Sequence, residues 1–432
     1  MFWQIVGMLI VIAGIGASIA LHEIGHLTPA KRFGVRVPEY AIGFGPQLLS
    51  RTIGETRYSL RAIPVGGFIR MIGMYPPVSR TSSGGPLARM AEDARSDSLA
   101  EVGPDDAGRT FYEQRVGRRI VIMLGGPTMN LFLAGLLFAG ALVGIGLPDA
   151  STTIDTVAPC AVSTANPRGL TGADGTCAAG PSAAARAGLT SGMRIVGVDG
   201  VSVHDSASLD AALASASTRG AAGTVTVVDA SGAQRTIDIR YQILDVPTHD
   251  VSGVATGATE RRAVLGVLLA WERTHLPVSI VPRVMWSMTT SSVSAIAAFP
   301  GKLVALARTL VDGGSRDPNG PVSVVGATRI GGEIAASSAD GWDKAVSLLM
   351  LLGSLNLFLF LFNLLPLLPL DGGHVAAALW EAVRNRARRR EARAPIDTAR
   401  LLPLTYAMSV LLIGVGALVI WADIVKPISL GT

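Results

Sequence analysis

Four long apolar segments, each nearly free of charged side chains, dominate the hydrophobic pattern of the chain. They cover residues 1–27, 118–147, 345–371 and 401–422. A helix of about 20 apolar residues crosses roughly 30 Å of hydrocarbon, so each segment is long enough to span a membrane. The pattern predicts a mainly α-helical polytopic membrane protein with four transmembrane helices.

The first connection, residues 28–117, contains two further patterns. Apolar and polar positions alternate over residues 39–73 and predict a β-hairpin. Because this stretch is apolar, we expect the hairpin to dip toward the membrane, against protein or a water-filled cavity. An ordinary cytoplasmic hairpin fits the same pattern. Residues 76–109 are rich in Pro, Gly, Ser and mixed charge, which predicts a flexible loop.

The second connection contains strand and helix patterns over residues 153–245, which predict a small external α+β domain. Its clearest elements are three strands and a helix between the first two strands, namely Arg194–Val198, Thr224–Val228, Thr236–Tyr241 and the helix Ser206–Ala216. Residues 246–344 are predicted to form an external interfacial region. Within it, Leu276 to Leu310 is apolar but interrupted by prolines and cations, which favours the outer membrane surface over a fifth span.

Composition agrees with a membrane protein, because 49% of the residues are hydrophobic and only 16% are charged. A soluble domain usually has about a quarter charged residues. The first apolar segment has no Lys or Arg before Lys31, whereas a secretory signal peptide begins with a basic region. We therefore expect a retained span; a cleaved leader is the alternative.

Basic residues indicate how the spans are oriented, because Lys and Arg are enriched in short cytoplasmic loops. They flank the first connection and crowd the third, residues 372–400, which contains Arg384, Arg386, Arg388, Arg389, Arg390 and Arg393. Both connections are predicted to be cytoplasmic, with the external domain and both termini outside the plasma membrane. This topology accounts for the net charge of +5. The sequence has no basic motif with interleaved aromatic residues, so we do not expect nucleic-acid binding.

The two cysteines, Cys160 and Cys177, both lie in the segment assigned to the outside, where disulfides are permitted. The residues between them are rich in Gly, Pro and Ala and flexible enough to close a loop. We predict a disulfide; two free thiols are the alternative.

A metal-binding pattern ends the first span, His22-Glu23-Ile24-Gly25-His26. Residues four apart share one face of a helix, so His22 and His26 can bind one metal ion. Glu23 can then take a proton from a water molecule that the metal activates. Ionisable groups in a span are expensive to desolvate and usually functional; a capping or interfacial cluster is the structural alternative.

A third ligand must come from another segment, because a catalytic zinc ion normally has three protein ligands and an open position. The predicted topology excludes the histidines placed outside, His204, His249 and His275. It leaves the end of the third span, where Asp371 lies at a depth similar to that of His26. Asp371 is the preferred ligand and His374 the alternative, although Asp-Gly-Gly alone indicates only a turn. Pro366 and Pro369 break the helix beside Asp371 and expose backbone groups there.

Three features together resemble the site-2 protease family. These are HExxH on a first span, Asn363-x-x-Pro366 followed by Leu370-Asp371-Gly372 on a later span, and a PDZ-like run, AAARAGLTSGMRIVGVDG, at residues 183–200. The chain is most similar to the bacterial regulator of sigma-E protease group, in its actinobacterial type with one PDZ-like domain. Shorter runs also resemble that group, namely Gly43-Phe44-Gly45-Pro46, the run at residues 61–67, and Gly125-Gly126-Pro127-x-x-Asn130.

The resemblance implies a zinc intramembrane metalloprotease. Zinc would be held by His22, His26 and Asp371, and Glu23 would activate water. Asn363 and Pro366 would lie at the substrate backbone, although an interhelical hydrogen bond is equally consistent for Asn363. The substrates would be membrane-spanning proteins such as anti-sigma factors, already cut once outside the membrane.

Two other segments take roles from the same resemblance. The hairpin of the first connection would hold the substrate as an extended strand. The PDZ-like domain would bind an extended peptide by strand addition, although the stretch from Cys160 to Gly180 departs from the PDZ pattern as an insertion.

Two functions of other classes remain as alternatives. A membrane scaffold or receptor would have a closed, structural zinc site, for which His374 is the nearby candidate for a fourth ligand. A zinc transporter would require further ionisable residues within its spans, and none is evident in the sequence.

Overall fold

The computed structural model describes residues 1–77, 86–161, 170–171, 176–249, 255–387 and 397–428. It contains two compact units, a helical unit of Met1–Ile145 with Leu276–Thr432 and a β-rich unit of Gly146–His275. The helices are α1 Phe2–Arg32, α2 Pro86–Ala100, α3 Val116–Ala139, α4 Ala183–Arg186, α5 Ser206–Arg219, α6 Ile280–Asp312, α7 Val324–Ala336, α8 Gly341–Asn363, α9 Asp371–Ala387 and α10 Leu402–Val425. The strands are β1 Glu39–Ile53, β2 Thr56–Arg70, β3 Leu147–Val157, β4 Arg194–Val198, β5 Val201–Ser202, β6 Ala222–Val228, β7 Gln234–Arg240, β8 Gln242–His249, β9 Ala255–Val264 and β10 Val267–Thr274.

Long apolar helices make up most of the helical unit. Within the described residues, five helices are long and apolar enough to cross a membrane, and they contain α1, α3, α6, α8 and α10. The four segments predicted to span are all helical over most of their length. The fifth helix, α6, is the stretch for which the sequence predicts a surface position, so the count of four spans stays a prediction.

The third predicted span, residues 345–371, is interrupted near its end, where the sequence predicts that prolines break the helix. In the structure α8 ends at Asn363 and a new helix, α9, begins at Asp371. Pro366 and Pro369 explain the break, because proline lacks the N–H that a helix interior requires. The basic loop predicted from residue 372 is therefore helical as far as Ala387, and its arginines at 388–393 lie outside the described residues.

Part of the predicted flexible loop, residues 76–109, is also helical. Residues 86–100 form α2, which begins with a proline at the position where helices tolerate it and contains good helix formers such as Ala, Leu, Arg and Glu. Arg95 of this helix is buried and donates a hydrogen bond of 2.8 Å to Asp397, just before α10. Residues 78–85 lie outside the described residues.

The predicted β-hairpin is present as β1 and β2. The last residues of β2 pair antiparallel with the beginning of β1. The first residues of β2 pair with both the end and the beginning of β1; Tyr40, for example, lies opposite both Tyr58 and Ile69. The Tyr40 hydroxyl donates a hydrogen bond of 2.8 Å to the carbonyl of Ala20 on α1. The hairpin therefore packs against α1 close to the HExxH motif.

The β-rich unit has a sheet with the strand order β10-β3-β4-β6-β7, with β5 paired to β4. On β6, Val225 and Val227 are buried and alternate with partly exposed neighbours, and they point into a core that also contains Ile195, Leu209 and Leu213. The strands and helix predicted within residues 194–241 correspond to β4, α5, β6 and β7. Cys160 and Cys177 are joined in a disulfide, with their Cα atoms 5.2 Å apart.

This unit is longer at both ends than the predicted domain of residues 153–245. Its β3 begins at Leu147, and β10, which ends at Thr274, pairs antiparallel with β3. The sequence predicts that residues 246–275 belong to the interfacial region, but their described part pairs with strands of this unit, β9 with β8 and β10 with β3.

The helices α3 and α10 run in the same direction through the helical unit. Arg119, near the start of α3, and Thr398, just before α10, line one small cavity. The starts of both helices therefore lie on one face of the bundle, close to the end of α1, which meets α3 at Gly125. The end of α10 lies on the opposite face, because Asp423 accepts a hydrogen bond from Ser323, just before α7, and α7 packs against Gly7 near the start of α1. The 24-residue helix α3 ends on that face too.

Both ends of α6 lie on that opposite face. Just before α6, the backbone N–H of Leu276 donates to the carbonyl of Leu142, beyond α3. Near its other end, the carbonyl of Thr309 accepts a hydrogen bond of 2.8 Å from Lys426, just beyond α10. A helix that crossed the bilayer would have its ends on opposite faces, so this geometry favours the surface position.

The position of α6 can be tested by cysteine labelling in intact cells. In a chain with Cys160→Ser and Cys177→Ser, we expect Ser315→Cys, after α6, and Ser96→Cys, on α2, to lie on opposite sides of the membrane. A membrane-impermeant maleimide should then label one of them before permeabilisation and the other only afterwards. Labelling of both from the same side would show that α6 crosses.

Candidate metal centre

The helices α1 and α3 touch backbone to backbone at the level of the HExxH motif. A Cβ atom added to Gly25 would collide with the carbonyl of Gly125, and one added to Gly125 would collide with the carbonyl of Gly25. A Cβ atom at Gly126 would collide with the rings of His22 and His26. These three positions have no room for a side chain, and α3 therefore lies directly against both imidazoles.

Three side chains direct their donor atoms to one point. His22 and His26 lie one turn apart on α1, with their Nε2 atoms 3.2 Å from each other. Asp371, the first residue of α9, places Oδ2 at 3.4 Å from both Nε2 atoms. We call these three donor atoms and their side chains the metal centre.

The two glycines after Asp371 allow α9 to fold back against the segment before it. A Cβ atom at Gly372 would collide with the carbonyls of Leu364 and Leu365, and one at Gly373 would lie 2.6 Å from the backbone nitrogen of Leu368. Asp-Gly-Gly is therefore more than a turn signal, because both glycines are needed for the close packing that brings Asp371 to the histidines.

Each imidazole also has a partner on α3 behind it. The Nδ1 atom of His26 lies 2.8 Å from the carbonyl of Ile122, a buried contact in which the ring nitrogen donates. The Nδ1 atom of His22 lies 3.1 Å from the side-chain amide of Asn130. Such outer partners fix the orientation and tautomer of imidazoles that bind metals.

Glu23 lies beside the metal centre and is buried, with 9% of its surface exposed. Gly67 of β2 packs against its side chain, since a Cβ atom at Gly67 would lie 3.0 Å from Glu23 Cγ. A cavity of about 320 Å³ opens here, lined by the metal centre, Glu23, residues 67–69 of β2 and Asn363. The carboxylate and the metal centre therefore share one cavity with the edge of the hairpin.

The donor set and its spacing fit a zinc ion. Zinc bound tetrahedrally at about 2.0–2.1 Å from nitrogen and oxygen ligands holds those ligands about 3.3 Å apart, close to the separations observed. Oδ2 of Asp371 is buried without a hydrogen-bond donor, and a buried carboxylate oxygen requires a cation or donor. Within the described residues, His22, His26 and Asp371 form the one cluster of three such donors.

The remaining predicted site residues divide between the cavity and its surroundings. His374, the alternative ligand, lines the cavity but is not part of the three-donor cluster. Asn363 also lines it, whereas among the nearby prolines Pro369 does so and Pro366 does not. Their roles toward a substrate stay predictions.

The sequence predicts no role for four residues that the structure places at this site, namely Gly67, Ile122, Gly126 and Asn130. Gly126 and Asn130 belong to the run Gly125-Gly126-Pro127-x-x-Asn130. This run adds to the family resemblance, but it does not indicate what either residue does. A small-residue pair in an apolar helix indicates a close helix crossing, but not which helix crosses there. The contribution of Ile122 is a backbone carbonyl and leaves no sequence signal.

Comparisons with known proteins relate the chain to zinc metalloproteases. The model of a family described as peptidase family M50 matches residues 10–404. The chain is 34% identical to zinc metalloprotease Rip1 of Mycobacterium tuberculosis, over 99% of both chains, and 32% identical to Rip1 of Mycolicibacterium smegmatis, over 98% of both. It is 26% identical to a putative zinc metalloprotease of Clostridium perfringens, over 95% of this chain and 96% of the relative.

Removal of a ligand should separate metal binding from the role of Glu23. We expect His22→Ala and Asp371→Ala to weaken zinc binding by more than about 100-fold, because loss of an outer partner alone costs 10–100-fold. Glu23→Gln should keep zinc at the native stoichiometry. Zinc content and chelator competition on the purified chain measure this; an Asp371→Ala variant with native affinity would remove that residue from the ligand set.

The glycine against the imidazoles gives a second prediction. Gly126→Ala should weaken zinc binding, because the added methyl group occupies the space of the two rings. Gly117→Ala on the same helix is the matched control, since nothing lies within 4 Å of a Cβ atom there. Equal zinc affinity in the two variants would contradict the close packing of α3 on the motif.

Proposed function

Because the chain belongs to peptidase family M50, the site-2 protease family, we propose that it is an intramembrane endopeptidase that cuts membrane-spanning substrates, anti-sigma factors among them. Family membership and the identity to the Rip1 proteins show a zinc metalloendopeptidase of the site-2 protease type. The long apolar helices show a multi-pass membrane protein. The observation that carries the proposal is the metal centre, which lies with Glu23 in a cavity between apolar helices.

The proposed chemistry is hydrolysis of a peptide bond in this cavity. When bound, zinc supplies a Lewis acid that polarises a carbonyl and increases the acidity of water. His22, His26 and Asp371 would hold it and leave one position open. Glu23 would accept the proton from the attacking water and pass it to the leaving amine, a step in which a positioned carboxylate contributes about 100- to 10,000-fold.

The hairpin supports the proposed way of holding a substrate. A spanning helix has its peptide groups hydrogen-bonded internally, so it must unwind before water can attack. Residues 67–69 of β2 line the cavity beside Glu23, and an extended substrate segment at this strand would have its backbone within reach of the carboxylate. Asn363 lines the same cavity, and its amide would bind the substrate backbone.

The β-rich unit supports a peptide-binding role outside the membrane. Its β10 is an edge strand of the sheet, and α5 packs against β9, β3 and β4 of the same unit. In PDZ domains a peptide adds as a strand beside a helix. We propose that this unit is PDZ-like and that it binds extended segments of substrates or regulators.

The proposed orientation places the metal centre toward the cytoplasm of a cell whose plasma membrane contains the protein. Lys31 and Arg32 end α1 just beyond the motif, and Arg384 and Arg386 lie in the last turn of α9. The positive-inside rule places these cations in the cytoplasm. The β-rich unit and both termini would then lie outside, with α6 on the outer surface.

The proposal is tested by cleavage of co-expressed single-span anti-sigma factors whose external parts have been shortened to imitate a first cut. We expect the native chain to cut at least one of them. Glu23→Gln should reduce the rate about 100-fold or more, because it removes the general base, and Asp371→Ala should abolish cleavage. Glu92→Gln on α2 is the matched control and should cleave as the native chain does.

Two results would count against the proposal. Undiminished cleavage in Glu23→Gln would remove that residue from the reaction. Absence of cleavage of every substrate by a zinc-loaded native chain would favour a structural zinc site in a scaffold protein.

A further inference from the structure

A buried amide lies behind one imidazole of the metal centre. Asn130 is on α3 with 1% of its surface exposed, and its Nδ2 atom is 3.1 Å from Nδ1 of His22. Its Oδ1 atom is buried and has no hydrogen-bond partner. A buried polar side chain surrounded by apolar helices is costly without a hydrogen-bond partner, and the ring of His22 is the partner that the Asn130 amide contacts.

The tautomer of His22 determines which end of the amide must face it. A neutral imidazole has one protonated nitrogen and one with a lone pair. Zinc binding through Nε2 requires the lone pair on Nε2 and therefore the proton on Nδ1. The group that faces Nδ1 must then accept a hydrogen bond, as Oδ1 of Asn130 does after a half-turn of its terminal side-chain torsion, which exchanges the amide oxygen and nitrogen.

The neighbouring histidine shows the same arrangement with a backbone partner. The carbonyl of Ile122 can only accept, so Nδ1 of His26 must be protonated and its Nε2 must carry the lone pair. Ile122 and Asn130 lie on the same helix, two turns apart. One element, α3, therefore provides an acceptor behind each imidazole, by a backbone carbonyl for His26 and by a side-chain amide for His22.

We propose that Asn130 is a positioning residue whose amide oxygen accepts from His22 Nδ1 and so holds His22 in the tautomer that binds zinc. This inference rests on the proposed function in that it requires zinc at the metal centre. Asn130 does not contact the reacting groups in this account. It acts through His22, and its loss should first appear in the affinity for zinc.

If Asn130 only joined the helices, its loss would destabilise the bundle without a specific loss of zinc affinity. The contact between α1 and α3 is already formed by Gly25 and Gly125, so the amide is not needed to join the helices. Asn356 provides the comparison, because it is also buried in a span and bridges helices through a hydrogen bond of 2.9 Å to Ser18, one turn before the motif. Its side-chain hydrogen bonds go to Ser18 and to the carbonyl of Leu352 rather than to a histidine, so its loss should affect the bundle but not the metal.

The test is competition for zinc between the full-length chain, purified in detergent, and a chromophoric chelator. Asn130→Leu should bind zinc about 10- to 100-fold more weakly, the usual effect of losing an outer partner. Asn130→Asp should stay near the native affinity, because a carboxylate offers an acceptor of the same reach. Asn356→Leu should also stay near native affinity, and gel filtration with thermal unfolding verifies that each variant is folded.

Each outcome decides the matter. Native affinity in a folded Asn130→Leu overturns the proposal, as does an Asn130→Asp variant that binds as weakly as Asn130→Leu or an equal loss in Asn356→Leu. If Asn130→Leu does not fold, the affinity of Asn130→Asp alone tests the need for an acceptor. Failure of the native chain to bind zinc would instead contradict the proposed function, so the two failures are distinguishable.

Discussion

The backbone contact between α1 and α3 at Gly25 and Gly125 is the constraint on which the metal centre depends. Without side chains at these positions, α3 approaches closely enough for the Ile122 carbonyl and Asn130 to lie behind the two imidazoles. Two histidines and a carboxylate inside an apolar bundle are expensive to desolvate. The partners on α3 and a bound cation would together offset that cost. The metal centre therefore depends on the close contact of α1 and α3 that the glycines allow.

A second close contact supplies the remaining ligand. Prolines end α8 at Asn363, and the glycines after Asp371 let α9 pack tightly on the segment just before it. This tightly packed turn, at the place where the prolines predict a break in the helix, brings the carboxylate to the histidines. The hairpin closes the third side of the cavity through Gly67, again where no side chain would fit beside Glu23. A glycine therefore allows each of the three close contacts that form the site, between α1 and α3, between α9 and the segment before it, and between β2 and Glu23.

Much of this could be predicted from the sequence, because the signals are local. Helical spacing places His22 and His26 on one face, the apolar runs give the helices, and alternation gives the hairpin and the strands β4, β6 and β7. The rest depends on contacts between distant segments. Composition over residues 76–109 does not reveal that Arg95 binds Asp397 or that α2 is helical. Hydropathy alone does not decide whether an apolar helix such as α6 spans the membrane or lies on its surface. The partners of the imidazoles follow only once α3 is placed against α1.

The central claim is that the metal centre is an open zinc site with two histidines and one carboxylate. Zinc K-edge X-ray absorption on the purified full-length chain tests it most directly, because scattering from imidazole rings reports how many histidines bind. The account predicts two imidazoles with ligand distances of about 2.0–2.1 Å and oxygen donors otherwise. A third imidazole, which His374 would supply from the same cavity, would indicate a different ligand set and contradict the claim.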